Sequence, residues 1–294
     1  MTTTTSAEKT SHAIDVPGAR IVYDIRANDA SPEPVLMLIG NPMGASGFPT
    51  LASHFTDRTV VTYDPRGVER STKDDDTSES NIDQHAADVH AVISALGRGP
   101  VDMFASSGGA VTALGLIAKH PEDVRTVVAH EPPLASLLPD REAALAANKD
   151  IRDTYVRSGH GPAMAKFMKI VMHKGPITAD FLAQPAPDPA MFGMSTEDDG
   201  SRNDVLVGQN IIGNTHFEPD FDAIRAAPTR LVVAVGAESD GELAHRGGEA
   251  VAERLGTKPV VFPSGHGGFQ GDEYGMPGEP AAFAAKLREV LATA

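Results

Sequence analysis

Cysteine is absent from the 294 residues, which excludes disulfides, thiol nucleophiles and cysteine-ligated metals. Long apolar runs are missing too, since no stretch approaches the roughly 18 apolar residues of a membrane-crossing helix. The first residues, M-T-T-T-T-S-A-E-K-T-S, lack the apolar core of a secretory signal. These absences predict a soluble, cytoplasmic chain with residues 1–11 as a flexible N-terminal tail. Positive charge is also scarce. Lys and Arg number 25 against 40 Asp and Glu, a formal net charge of −15, and no basic cluster occurs. That argues against nucleic acid and anionic membranes as partners, and disfavours an anionic substrate. A P-loop, a G-x-G-x-x-G following a strand, an H-E-x-x-H pair and an EF-hand loop are all missing. Asp74-Asp75-Asp76, beside Lys73, reads as a solvated loop, and no metal is expected.

What the chain does contain is alternation of two kinds of segment. His12 to Asn28 alternates apolar and polar residues around Pro17-Gly18, as an antiparallel hairpin does. Val35–Ile39 and Thr59–Tyr63 are nearly continuous apolar runs, the pattern of strands covered on both faces. Asn81 to Gly97 opens on an N-cap residue, carries Ile82, Ala86, Val89, Ile93 and Leu96 at helical spacing, and ends on glycine. Short apolar runs recur at 101–106, 125–129, 230–235 and 259–262, with helices expected at 110–120, 242–255 and from Pro280 onward. Strands alternating with helices predict a doubly wound, mostly parallel α/β sheet of about eight strands. The core is expected over 12–133 and 228–294. Residues 134–227 show no β-run and are expected to form a helical cap insertion. Within it Met164, Met168 and Met172 recur at every fourth residue. Core packing explains that stripe most simply, and a substrate pocket lined by pliable thioethers is the sharper alternative.

The chemistry concentrates at Val101 to Gly109, V-D-M-F-A-S-S-G-G, where an apolar run breaks into serines and glycines. Small residues two before and two after a serine permit the sharp strand-to-helix turn of a nucleophile elbow. Ala105-Ser106-Ser107-Gly108-Gly109 fits that spacing and makes Ser107 the candidate nucleophile. The apolar run Ala110 to His120, stopped by Pro121, supplies the helix that should follow.

Three further motifs fall in order with this one. Asp64-Pro65-Arg66-Gly67-Val68-Glu69-Arg70-Ser71 lies after the second buried run, Gly40-Asn41-Pro42-Met43-Gly44 after the first, and Ser264-Gly265-His266-Gly267-Gly268-Phe269 after the last. With these motifs the chain resembles the α/β-hydrolase superfamily over nearly its whole length. It departs at Glu69, where D-x-R-G-x-G-x-S has glycine, and at Asn41-Pro42, which replace the His-Gly of the oxyanion loop.

The resemblance implies a serine hydrolase without cofactor, acting on a small, largely apolar ester or lactone. A serine hydroxyl needs a base near neutral pH, and an imidazole suits. His266 takes that role by its place after the final strand. Other histidines, such as His85, His90, His120 and His160, read as solvated or hydrogen-bonded side chains. The oxyanion needs two backbone donors. Gly108, following the nucleophile, is one, and Met43 is the other by analogy, since Pro42 has no N–H. Asn41, Met164 and Met168 are candidate substrate contacts. For the triad acid, most of the superfamily uses a position matching Ser239, with Glu238 and Asp240 beside it. A minority places the acid after the preceding strand, at Glu131. Glu131 leads, with Asp240 and Glu238 as alternatives. Thioester, amide or perhydrolysis chemistry on the same triad, or a non-catalytic ligand-binding role, are the rivals. Self-association into a homo-oligomer is left open.

Overall fold

The computed structural model describes residues 9–275 and 277–293. Residues 1–8, most of the expected tail, lie outside the described residues. Strand β1 (Lys9–Val16) begins within the span expected to be tail and pairs antiparallel with β2 (Ala19–Arg26). Polar partners extend the pairing ahead of His12, where no apolar alternation marks a strand. Lys9 Nζ sits 3.1 Å from Asp24 Oδ2, and Ser11 Oγ donates to Asp24 Oδ1. Gly18 turns the hairpin with φ of +74°, a conformation that favours glycine.

Strands β3 (Leu36–Ile39), β4 (Val60–Tyr63), β5 (Thr72–Lys73), β6 (Val101–Ser106), β7 (Val124–His130), β8 (Arg230–Gly236) and β9 (Val260–Phe262) complete the sheet. Its order is β1-β2-β4-β3-β6-β7-β8-β9, with β5 on β2, and from β4 to β9 every neighbouring pair is parallel. The sheet has nine strands among the described residues. The one beyond the expected set is β5, whose two residues are too few to show periodicity.

Helices α1 (Pro49–Ser53), α2 (Ile82–Leu96) and α3 (Gly108–Lys119) lie between the early strands. Between β7 and β8 come α4 (Arg141–Ser158), α5 (His160–Val171), α6 (Ala179–Ala183), α7 (Ile211–His216) and α8 (Phe221–Ala226). The last two are α9 (Leu243–Leu255) and α10 (Pro280–Ala292). Helix α2 begins with a reciprocal capping box between Asn81 and Gln84 and ends at Gly97 in the left-handed region, so both ends satisfy their backbone groups locally. Successive side chains along a strand point to opposite faces. Met37 and Ile39 therefore join one core with α2 and α3, while Leu36 and Leu38 join a second with Phe104, Phe262 and α10.

Two buried aspartates anchor arginines to this frame. Asp102, fully buried on β6, accepts from Arg58 and Arg125. Arg66, in the turn after β4, makes a bidentate pair with Asp88 on α2 at 2.6 and 2.7 Å. The segment between β7 and β8 has an apolar cluster of its own, including Ala144, Ile151, Tyr155 and Val207. It is docked by buried amides from a π-helical stretch (Val205–Asn210) and α7. Gln209 Oε1 accepts from Lys73, Asn210 Oδ1 from His85, and Asn214 Oδ1 from Asn41. No helix among the described residues is long and apolar enough to cross a membrane.

Removing one member of a buried ion pair leaves the other charge uncompensated. Asp88→Ala should lower the unfolding free energy by about 3 kcal/mol, read as a fall in the urea midpoint. An unchanged midpoint would show that the Arg66 pair does not hold the turn after β4 to α2.

Candidate active site

Parallel strands deliver their carboxyl ends to one edge of the sheet, and the loops that follow them meet there. Ser107 sits between β6 and α3 with φ of 57° and ψ of −127°, a strained backbone for a residue with a Cβ. The turn needs little room behind it. A Cβ at Gly109 would stand 2.6 Å from Ile39 O and 2.8 Å from Gly40 Cα, so a larger residue there would push β3 away. The Ser107 amide donates to His130 O at 2.9 Å, and Ser107 is the N-cap residue of α3, whose first amides have no intrahelical partner.

Glu131 follows β7. It is fully buried, with φ of 49°, and its amide donates to Ala234 O. Its Oε2 accepts from His266 Nδ1 at 2.6 Å. Its Oε1 accepts from the Gly236 amide at 2.8 Å and from Ser239 Oγ. Burial pushes the Glu131 carboxyl up, but bonding and charge from His245 and His266 outweigh it, and the group is held well below the usual carboxylate range. For His266, burial pushes the imidazole down and the Glu131 carboxylate more than offsets this, so the net direction is upward.

Of the three candidate acids, only Glu131 touches His266. Asp240 is 88% exposed, and the ion-pairing nitrogen near it is His245 Nε2 at 3.8 Å. Glu238 Oε2 accepts from Ser264 Oγ at 3.3 Å. No hydrogen bond joins Ser107 Oγ to His266 among the described residues. The two come together around His130, whose carbonyl takes the Ser107 amide and whose ring stacks on that of His266 with centroids 6.0 Å apart.

The oxyanion-loop candidates take different positions. Asn41 is buried and donates through Nδ2 to Asn214 Oδ1 at 3.3 Å, while its own Oδ1 has no protein partner. A Cβ at Gly108 would collide with Asn41 O and the Asn214 side chain, so this loop and α7 close over the start of α3. The Met43 amide has no protein acceptor among the described residues, and its Sδ lies 3.2 Å from Gln270 Nε2. Met164 packs against the insertion's apolar cluster, Met168 is half-buried and Met172 is 66% exposed.

The sequence profile of the alpha/beta hydrolase fold matches residues 33–191, more than half of the chain. The chain belongs to the alpha/beta hydrolase fold family. The chain is 29% identical over 262 residues to the uncharacterized hydrolase YraK of Bacillus subtilis (strain 168), covering 87% of this chain and 89% of that protein. Two solved alpha/beta hydrolases share the fold at lower identity. A thermophilic esterase from Thermogutta terrifontis superposes with a TM-score of 0.66 at 17% identity, over 98% of this chain and 99% of its own. The enol-lactonase from Burkholderia xenovorans LB400 gives 0.64 at 17% identity, over 96% and 100%.

Within this alpha/beta hydrolase, His130, His245 and Asn214 near the site carried no sequence signal of their own, and Ser239 was marked only as the place of the family's usual acid. His130 is fully buried among Phe104, Phe262, Phe269 and Phe283, and burial pushes it down to about 4. Ser239 and His245 gather at Glu131, and Asn214 at Asn41. Helical periodicity could mark the last two only as positions on a helix. Among the described residues, two clusters bring histidine and acid atoms together, His90, His120 and Asp123, and His130, Glu131 and His266. In the first, the two rings stack at 3.8 Å with 14° between their planes. Their in-plane lone pairs run parallel instead of converging on one ion. In the second, Glu131 Oε2 is engaged by His266.

The balance at His266 can be read directly by NMR. Its imidazole should titrate above the ordinary value of about 6.5, because Glu131 outweighs burial. In Glu131→Gln the carboxylate charge is gone and burial is opposed only by Glu242, so the same resonance should titrate lower than in the wild type. A titration unmoved by the substitution would mean that Glu131 does not set the charge of His266.

Proposed function

We propose that the protein is a serine hydrolase that cleaves a carboxylic ester or lactone of a small, largely apolar substrate through an acyl-enzyme intermediate. The observation that carries this reading is the His266 Nδ1 to Glu131 Oε2 bond at 2.6 Å, made by a fully buried carboxylate beside a serine on a strained strand-to-helix turn. With Nδ1 engaged, the proton-accepting nitrogen of a neutral His266 is Nε2. That an esterase and an enol-lactonase share the fold supports the substrate class.

In this scheme Ser107 Oγ attacks the acyl carbonyl carbon as His266 Nε2 takes the hydroxyl proton. The tetrahedral intermediate places its oxyanion between the amides of Gly108 and Met43. Each such donor is worth about 10²–10³ in rate, and the N-terminus of α3 adds a favourable dipole. Collapse breaks the acyl–oxygen bond, and His266 returns the proton to the departing alkoxide. Water, deprotonated by the same imidazole, then attacks the acyl-enzyme and releases the acid and free Ser107. Glu131 stays ionised throughout and stabilises the imidazolium. The helical insertion between β7 and β8 acts as a cap that excludes water and shapes the acyl site, with Asn41, Met164 and Met168 as its candidate substrate contacts.

A fluorophosphonate probe should add once to the wild type and not to Ser107→Ala, as read by intact mass. On an activated ester, Glu131→Gln should lower kcat by about 10³ or more, with Asp240→Asn close to wild type. A folded wild type that takes no adduct would overturn the nucleophile assignment. The reverse ranking of the two acid variants would move the triad acid to Asp240.

A further inference from the structure

The far side of the Glu131 carboxylate is as closely managed as the side that meets His266. Ser239 Oγ donates to Oε1, and a hydroxyl has only one proton to give. Toward His245, whose Nδ1 lies 3.4 Å from the same Oγ, Ser239 can therefore only accept. Nδ1 of His245 must then carry a proton, and it also lies 3.6 Å from Glu131 Oε1. At the other end of the ring, Nε2 faces Asp240 Oδ1 and Glu249 Oε1, each at 3.8 Å. A buried carboxylate on one nitrogen and two surface carboxylates on the other favour a ring protonated at both. The result is a chain of contacts, His245 to Ser239 to Glu131 to His266, in which one carboxylate serves two imidazoles.

We propose that His245 is a positioning residue for the hydrolysis: acting through Ser239, it holds Glu131 in place, and its positive charge limits how strongly Glu131 draws a proton onto His266. The inference rests on the triad reading above. His245 has no path to the substrate of its own, being buried in α9 with its ring turned between Glu131 and the surface acids. The Glu131 carboxylate beside it raises the affinity of His245 for its proton against the effect of burial. The other titratable groups that feel its charge are His130 and Glu242 on the loop before α9, and Glu242 in turn has His266 and Lys174 beside it, with Lys174 Nζ at 3.9 Å. Glu242 is itself pushed up by burial and by the Glu131 charge, so it offers His245 less negative charge than Glu131 does.

The test is the pH dependence of kcat/KM for p-nitrophenyl acetate in the full chain, wild type beside His245→Gln and Ser239→Ala. Glutamine keeps a donor for Ser239 and removes the charge. The acid limb of His245→Gln should move up by about half a unit to one unit, because Glu131, no longer shared, stabilises the His266 imidazolium more. Ser239→Ala should lower kcat about tenfold with little change in KM, the cost of one bond to a charged group. A second measurement needs no variant. Nitrogen-15 spectra of wild-type histidine rings at pH 7 should show His245 protonated on both nitrogens. An acid limb unmoved in folded His245→Gln, or a neutral His245 at pH 7, overturns the proposal. Fluorophosphonate labelling separates this failure from that of the triad: an adduct with an unmoved limb overturns the role of His245 alone, and a wild type without an adduct overturns both.

Discussion

Everything at the carboxyl edge of the sheet is arranged around a charge that has been taken out of water. An ionised carboxylate with no exposed surface, as at Glu131, costs several kcal/mol unless its oxygens are fully met. Here both are. Oε2 takes His266, and Oε1 takes the Gly236 amide and Ser239, with His245 close behind. These partners lie at the end of β8 and in the turn after it, in α9 and in the loop after β9, and each can reach Glu131 only if the parallel order of β7, β8 and β9 is correct. The carboxylate thus acts as a check on the topology as well as a group in the site.

Backbone strain gathers at the same edge. The four non-glycine residues in the left-handed region among those described are Glu69, Ser107, Glu131 and Ser264. Three of them carry or flank the site, and Ser264 stands two residues before His266. Such conformations cost of order 1–3 kcal/mol each and persist only where the surroundings over-determine them. Glu69 explains its own departure from the family motif. Glycine is usual there because φ is positive, and the glutamate that replaces it is used, accepting from Ser46 Oγ at 2.6 Å beside the loop after β3. Asp64 in the same turn accepts from the Ala45 amide at 2.9 Å, so the turn after β4 braces the loop that carries Asn41 and Met43.

The helical insertion is held in two different ways. Its first part, α4 and α5, packs mainly through apolar residues of its own cluster. Its second part, through the π-helical stretch and α7, is pinned by Gln209, Asn210 and Asn214 to β5, α2 and the loop after β3. Buried amides must keep their partners, since an unmet one costs about 1–3 kcal/mol. The second part is therefore fixed to the core close to Gly108, and Arg246 of α9 holds the start of α4 through Asp140.

Local information was enough for much of this protein. Buried strands announce themselves as short apolar runs, α2 by its capping residues and closing glycine, the elbow by small residues around Ser107, and the histidine loop by its glycines. Each depends on residues within a few positions of one another, and backbone sterics and periodicity act at that range. The choice of Glu131 over Asp240 and Glu238 as the partner of His266 belonged to the tertiary structure. All three carboxylates follow strands, and only the stacking of β7 beside β8 buries one and leaves another 88% exposed. His245, His130 and Asn214, and the bond from Ser239 to Glu131, were hidden for the same reason. Their roles lie in which residue, far along the chain, each one faces, and no spacing rule along a single segment encodes that.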